Sequence, residues 1–589
     1  MNITRREILQ ASLVGMAAQP LSASGVAAPS VLEPFNYSGV RLLDSRLRDQ
    51  CLSARDVFQA IPDNNLLLGF RARAGLPSPG TPLPGWYGGD VFNAFGQYVS
   101  GMARLSKSLG DPAIGIKARA LVDEWSKTID PDGYFYYSRR PITPHYIYDK
   151  MMCGLIDICE YGGYQEAIPL AEKITDWASA NLDRARRCPL ENGATYDGNG
   201  EWYTLPENLY RAYALTGNPK FKSFAEVWHH NAYWDMFTRA EDPNPFGFHA
   251  YSHVNTLSSA AMAYAVSGDA HYRDVITNAF DWLERTQMYS TGGFGPDEKL
   301  VRPDGSLGRS LESTYNNFET ICGSWAGFKL GRYLLRFTGQ AKYGDWIEKL
   351  LYNGIGAALP LKPDGSNFYY SEYNLNGCRK GYHSVKWTCC SGTLPQVVAD
   401  YHNVIYFKDA DSLYVNLYVP SEVIWTRGRN EVRVEQQTTY PESDTTLLTI
   451  YPGASQEFDL KFRVPRWSAS VSVEVNGRAA EIDAQPGSWG TIHRKWMSGD
   501  RVRIRIPMQL SYAPIDKQHP NRIALTYGPV VLVREVSPAL AMGKNGLVGS
   551  VHRDSEALDF RMEATSANRF VPLYKLGFGS VYQMYFERL

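Results

Sequence analysis

Along the first two-thirds of the chain, apolar positions recur with helical spacing, and the runs stop at glycine. The stops fall at Gly110, Gly162, Gly217, Gly268 and Gly339. Thr216-Gly217-Asn218-Pro219-Lys220-Phe221 matches Ser267-Gly268-Asp269-Ala270-His271-Tyr272, and both match Thr338-Gly339-Gln340-Ala341-Lys342-Tyr343. A glycine after a helix supplies the left-handed residue that ends it. The aromatic that follows begins the packing face of a return helix. Most steps are a little over fifty residues, which fits one helical hairpin per step. The step from Gly268 to Gly339 is longer, and its extra residues fall in the loop bearing Glu298. Five hairpins and a terminal pair would close a ring of helices. An open helical solenoid is the alternative.

Past Tyr401 the period changes to two. Leu413, Val415, Leu417 and Val419 alternate with Tyr414, Asn416 and Tyr418, and Val502, Ile504 and Ile506 alternate with arginines. Phe458 to Val464 and Val471 to Val475 follow suit. Alternation broken by Pro and Gly predicts the strands of a β-sandwich. The reading is therefore an α+β multidomain chain, helical over 29–408 and β-sandwich over 409–589, with the boundary near Asp409. Residues from Ser537 onward carry no regular pattern.

Length, charge and the N-terminus narrow the function. A chain of 589 residues has room for several domains and a large core. A net charge of -1 offers nothing to nucleic acid. Aromatics make up 13%, including 38 Tyr and 14 Trp, which suits stacking on sugar faces as well as core packing. Thr4-Arg5-Arg6 precedes a weakly apolar run rich in Ala, Ser and Gly, ending near Ala28. That pattern predicts a twin-arginine signal peptide over 1–28 and a periplasmic or secreted protein. The route exports folded protein, so a metal–thiolate site could be loaded before it meets an oxidising compartment. No later stretch is long and apolar enough to span a membrane.

The chemistry concentrates between Glu319 and Cys390. Glu319, Cys322, Cys389 and Cys390 offer three thiolates and a carboxylate, a tetrahedral set suited to Zn2+. The three-residue spacing of Glu319 and Cys322 would put both on one face of a helix. Buried structural cysteines, or a strained disulfide between Cys389 and Cys390, are the plainer alternatives.

Four loop segments at hairpin starts add polar candidates. They carry Asp90, after Gly85-Trp86-Tyr87-Gly88-Gly89; His145; Trp202, after Glu201; and His253, in His249-Ala250-Tyr251-Ser252-His253. Equivalent hairpin starts in a helical ring would share one cleft. Asp90 also reads as a helix N-cap.

The ordered series Phe318-Glu319-Thr320-Ile321-Cys322, Phe328-Lys329-Leu330-Gly331-Arg332-Tyr333, Tyr352-Asn353-Gly354, Trp387-Thr388-Cys389-Cys390-Ser391-Gly392-Thr393 and Tyr414 to Ser421 resembles glycoside hydrolase family 127. The founding activity of that family is β-L-arabinofuranosidase. The resemblance is dense over about residues 285–425 and looser from 90 to 285. It implies an (α/α)6 barrel followed by β-sandwich domains. It also implies a zinc-bound cysteine nucleophile, Cys389, in a retaining, exo-acting hydrolase of an oligosaccharide or polysaccharide-derived substrate.

Three departures from the family pattern stand out. A His-x-Glu loop of the family falls at Trp202 and Thr204, which touches the positions that read the sugar. The acid/base glutamate of the family follows a Thr-Gly-Gly-x-Gly turn. Here the turn is Thr291-Gly292-Gly293-Phe294-Gly295 and leads to Pro296-Asp297-Glu298, so Glu298 is the candidate and Glu312 the alternative. The metal motif reads Glu319-Thr320-Ile321-Cys322 where the family has Glu-Thr-Cys, setting Glu319 one residue early. Competing functions are hydrolysis of anhydrogalactosides, a zinc-stabilised carbohydrate-binding protein without turnover, and a polysaccharide lyase.

Overall fold

A computed structural model describes residues 28–184, 188–189, 195–196, 201–239, 241–535, 551–555, 558–562 and 569–588. The expected signal peptide and the start of the irregular C-terminal region lie outside them.

The helical part is a closed ring. Helix α1 spans Arg46–Ala60. Five hairpins follow: α2 (Phe95–Leu109) with α3 (Pro112–Ser126), α4 (Pro144–Glu160) with α5 (Ala167–Asn181), α6 (Leu205–Thr216) with α7 (Pro219–Val227), α8 (Ala250–Ser267) with α9 (Ala270–Thr286), and α10 (Thr320–Thr338) with α11 (Lys342–Lys349). Helix α12 spans Cys389–Ala399. Helices α2, α4, α6, α8, α10 and α12 touch in that order, and α12 returns to α2. The partner helices pack outside, with α1 against α12. The ring is thus an (α/α)6 barrel whose sixth pair joins the first helix to the last.

The inner helices are buried on nearly every side, because each meets two ring neighbours and an outer partner. Gly110, Gly217, Gly268 and Gly339 end the inner helices with φ of 64° to 72°, as the repeat predicts. In the second hairpin Gly163, not Gly162, takes the left-handed conformation, with φ of 67°, because the helix runs on through Tyr161 as its cap.

Two sheets follow in a sandwich. A five-stranded sheet contains Tyr406–Lys408, Ser412–Val415, Gln456–Arg463 and Trp489–Trp496, with Glu33–Pro34 at one edge. A seven-stranded sheet includes Ser421–Arg427, Asn430–Thr438, Thr445–Pro452 and Asp500–Arg505, with Val40–Leu42 at its edge. The strand Asp500–Arg505 alternates strictly between buried and exposed, as its sequence requires. Ser412–Val415 is instead buried on both faces and ends before Leu417. Asp409 lies in the turn between two paired strands, so the sandwich begins at Tyr406 and also recruits residues 33–42 from the N-terminus. A third, nine-stranded sheet is built mainly from Leu510 onward. It reaches back to the helical domain, where Val581–Gln583 pairs with Cys378–Arg379.

Candidate active site

The N-terminal ends of the six inner helices converge on one small cavity, with about 320 Å³ of empty space. Trp86 and Phe92 come from the segment before α2, Tyr146 from the start of α4, and Glu201 from just before α6. His249 and Tyr251 open α8, Glu298 and Glu319 precede α10, and Cys389 opens α12. Helix N-termini favour anionic groups. The convergence explains why carboxylates and thiols gather at this mouth of the barrel.

The four metal-ligand candidates meet here. Sγ of Cys322 lies 3.7 Å from Sγ of Cys389 and 3.4 Å from Sγ of Cys390. Oε1 of Glu319 lies 3.5 Å from Cys389 and 3.7 Å from Cys390. One donor atom from each of the four falls within 4.8 Å of the others, so the buried cluster can hold a metal ion. The cysteines are free thiols, not a disulfide. Oε2 of Glu319 is buried without a hydrogen-bond partner among the described residues, as a carboxylate awaiting a cation would be.

The extra residue in Glu319-Thr320-Ile321-Cys322 is absorbed locally. Glu319 does not share a helical face with Cys322. It ends the strand Phe318–Glu319, and Cys322 sits in the first turn of α10. Phe318–Glu319 pairs with Tyr370–Ser371, which fixes the carboxylate over the thiols.

Burial pushes the thiols of Cys322 and Cys390 and the carboxyl of Glu319 upward in pKa. Cys389 is buried too, yet hydrogen bonds from Cys322, Cys390 and Tyr369 outweigh that and hold its pKa well below the ordinary thiol value. Its position in the first turn of α12 acts in the same direction. Cys389 is thus the thiol best kept as thiolate, and the one that lines the cavity.

Glu298 faces it across Glu319, which lies within 4.8 Å of both Glu298 and His249. Asp297 and Glu298 adopt φ of 51° and 59°, a strained conformation for residues with a side chain. The strain turns the Glu298 carboxylate inward. Oε1 accepts from the Tyr370 hydroxyl at 2.5 Å, and Oε2 lies 3.3 Å from Nε2 of His249. Burial alone would raise its pKa, but the bonds to His249 and Tyr370 bring it down to about 2. Nδ1 of His249 accepts the backbone N–H of Ser252, so the neutral ring carries its proton on Nε2, facing Glu298. Glu312 is elsewhere, bonded to Arg522 of the third sheet at 2.8 Å.

The loop candidates fare differently. The hairpin starts do converge, but neighbours of the expected residues face the cavity. His145 is buried with Nε2 2.8 Å from the Asp183 carbonyl, against Trp228, while Tyr146 lines the cavity. One residue along a helix turns the side chain by about 100°. Trp202 stacks near His230 beneath Arg184, while Glu201 lines the cavity from a left-handed backbone, φ 61°. His253 lies one turn below His249, enclosed by Tyr203, Phe248 and Tyr233. Asp90 caps no helix, since α2 begins at Phe95. It accepts from Ser138 at 2.6 Å, and burial raises its pKa to about 7. None of these four lines the cavity. Tyr369 and Tyr370 carried no signal in the sequence beyond standing in an aromatic-rich stretch, because only the strand pair brings them to Glu319 and Glu298.

A pocket of thiols, carboxylates and aromatic rings at one mouth of an (α/α)6 barrel is a site for a polyhydroxylated substrate. The profile of the β-L-arabinofuranosidase GH127 catalytic domain matches residues 39–403, and that of the GH127 middle domain matches 412–508. The chain belongs to this family and is a glycoside hydrolase. Its fold is similar to that of a GH127 β-arabinofuranosidase (TM-score 0.75, 20% identity, covering 95% of this chain and 98% of the other). It is also similar to a GH127 β-L-arabinofuranosidase from Geobacillus stearothermophilus (0.73, 18%, 93% and 100%) and to a structure titled glycoside hydrolase (0.70, 16%, 96% and 99%). A search among curated proteins by sequence finds no match.

Proposed function

We propose that the protein is a retaining, exo-acting glycosidase that uses Cys389 as nucleophile and Glu298 as acid/base. The observation that carries the reading is the shared cavity: the Cys389 thiol at a helix N-terminus, the Glu298 carboxylate held by two donors, and Glu319 between them.

The cluster fits Zn2+. Tetrahedral zinc with sulfur and oxygen ligands has S···S edges of about 3.75 Å and S···O edges of about 3.5 Å. The observed separations of 3.4–3.7 Å and 3.5–3.7 Å match that set. Bound to Glu319, Cys322, Cys389 and Cys390, the ion would keep the thiols ionised in an otherwise hostile, buried setting.

Sγ of Cys389 attacks the anomeric carbon, forming a C–S bond as the glycosidic C–O bond breaks. The departing oxygen takes a proton from Glu298, which draws on His249 for it. Glu298 then accepts a proton from water as the water oxygen attacks the same carbon and the sulfur leaves with its electron pair. Two inversions retain configuration. Tyr370 and His249 keep the carboxylate aimed, and Trp86, Phe92, Tyr146 and Tyr251 supply ring faces for one sugar unit. The small cavity supports release of single terminal residues.

Family membership makes a β-L-arabinofuranoside the first substrate to test. Glu201, in the segment where the family carries His-x-Glu, favours a different hydroxyl pattern or an anhydrogalactoside as the second. Incubation with a plant and algal glycan panel, with products read by mass and anomeric configuration, tests the reading. Unsaturated products, or inverted configuration, would overturn it. We also infer twin-arginine export from Thr4-Arg5-Arg6.

A further inference from the structure

The motif Phe328-Lys329-Leu330-Gly331-Arg332-Tyr333 has no part in the catalytic cavity, although it lies on the same helix as Cys322. Arg332 is ten residues further along α10, about 15 Å down the barrel axis. There the opposite end of the ring holds a second, larger and partly open cavity, with about 1240 Å³ of empty space. Tyr37, Tyr161, Arg211, Arg332, Arg336 and Asn403 are among its walls.

Charges in this half of the barrel are matched almost pairwise. Arg104 bonds Asp157 at 2.7 Å and Asp400 at 2.8 Å. Arg211 bonds Asp157 at 2.5 Å and Glu160 at 3.1 Å, and Lys329 pairs with Glu207. Two cations are left over. Arg332 makes no hydrogen bond or ion pair with any described residue. Its guanidinium sits 5.8 Å from the Tyr333 ring, and the carboxylate that acts on it most strongly, Asp400, is already bonded to Arg104 and Tyr37. Arg336 donates to Ser30 Oγ at 2.7 Å and to no described carboxylate.

Arg332 and Arg336 are four residues apart, so they lie one above the other on one face of α10. Like charges so placed repel, and burial adds to the cost. Burial lowers the pKa of Arg336, and the Arg332 charge adds to that against the opposing pull of Tyr333 and Glu33. Asn403 is also on the wall, 5% exposed; its buried Oδ1, an acceptor without a partner among the described residues, takes no part in recognising an anion. The carboxylate on the rim, Glu160, is taken by Arg211; the exposed Glu33 acts on Arg336 from a distance without forming an ion pair with it. Two guanidinium forks facing one cavity have the donor geometry for a tetrahedral oxyanion, which can accept from both at once.

We propose that the end of the barrel opposite the catalytic mouth is an anion site, in which Arg332 and Arg336 bind a small oxyanion of the phosphate or sulfate class. It is separate from the catalytic mouth. A free inorganic ion and the ester group of a sugar phosphate or sulfate share this chemistry.

The test is calorimetric titration of the metal-loaded protein with inorganic phosphate, at constant ionic strength set with sodium chloride. A parallel arm uses galactose 6-sulfate. Saturable binding is expected in the wild type, weakened at least tenfold in Arg332→Gln and measurably in Arg336→Gln, and unchanged in Cys389→Ser. Tighter binding of the sulfate ester than of phosphate, lost with the same substitutions, identifies the ester as the ligand; the reverse order identifies the inorganic ion. No saturable binding by the wild type, equal binding by both arginine variants, or binding lost only in Cys389→Ser would overturn the proposal. Should Arg332→Gln fail to fold, the wild-type titration still decides whether a site exists and Arg336→Gln where it lies.

Discussion

Tyr370 stands opposite Glu319 in a two-residue strand pair, and its hydroxyl donates to Glu298 at 2.5 Å. One short ladder therefore positions both the carboxylate beside the thiols and the carboxylate proposed as acid/base. On the other side Tyr369 lies 3.6 Å from Cys389. Backbone pairing between segments about fifty residues apart thus holds Glu319 and Tyr370 together, and through them brings Glu298 near Cys389.

The nucleophile can be separated from a metal ligand by parallel substitution. Cys389→Ser should lower kcat by roughly 10³-fold or more with the fold intact, the usual scale for removing a covalent catalyst. Cys390→Ser should lose metal and thermal stability together with activity. A haloacetyl glycoside of the true substrate should label Cys389 alone. Near-normal turnover by Cys389→Ser would exclude the cysteine mechanism.

The pH profile should report the His249–Glu298 pair. Glu298 is held at about 2 and His249 above its ordinary value, where burial would lower it but the bond to Glu298 prevails. The proton needed by the leaving group is therefore kept by the pair below the raised pKa of His249 and lost as pH rises through it. kcat/KM should fall on that alkaline side. His249→Gln removes the main bond that holds Glu298 down, so burial raises its pKa and the fall should move to a new position set by Glu298. An alkaline limb identical in the variant and the wild type would refute the assignment.

Tyr370→Phe should act through the same carboxylate. A hydrogen bond to a charged group contributes about 1.5–3 kcal/mol. Its loss should cost at least about tenfold in kcat/KM and move the alkaline limb upward, because the carboxylate left without that donor binds the pair's proton more tightly. Unchanged kinetics would mean the bond does not orient Glu298 in the working enzyme.

Removal of metal should reach both activity and stability. Three thiols and a carboxylate share one buried cluster, and a cation among them would offset the cost of burying them ionised. Chelation should abolish turnover and lower the thermal midpoint, with zinc restoring both, at about one ion per chain by elemental analysis. Full activity in protein shown to contain no metal would contradict this.

Export is tested at the N-terminus. Replacing Arg5 and Arg6 together by Lys should hold the enzyme in the cytoplasm with its activity intact. Undiminished appearance outside would rule out the twin-arginine route.

The sequence by itself determined what repeats locally. Glycines at 217, 268 and 339 end helices whatever surrounds them, because only a residue without Cβ enters the left-handed region freely. Alternation of Val502, Ile504 and Ile506 with arginines likewise dictated a strand with one buried face. The cysteine set was legible through the family-like motifs around it, since spacing alone left buried structural cysteines and a disulfide open. Tertiary structure decided which side chains face the substrate. His145 and Tyr146 are adjacent in sequence, and only the position of α5 and Trp228 turns the first away and the second inward. Glu319 reaches the thiols despite an inserted residue because a strand pair, not a helix face, carries it. Closure of the ring joins α1 to α12 across most of the chain, a contact no local pattern announces. Local conformation follows from sterics and periodicity that short windows contain. Orientation into a shared cavity depends on packing between segments that no short window holds.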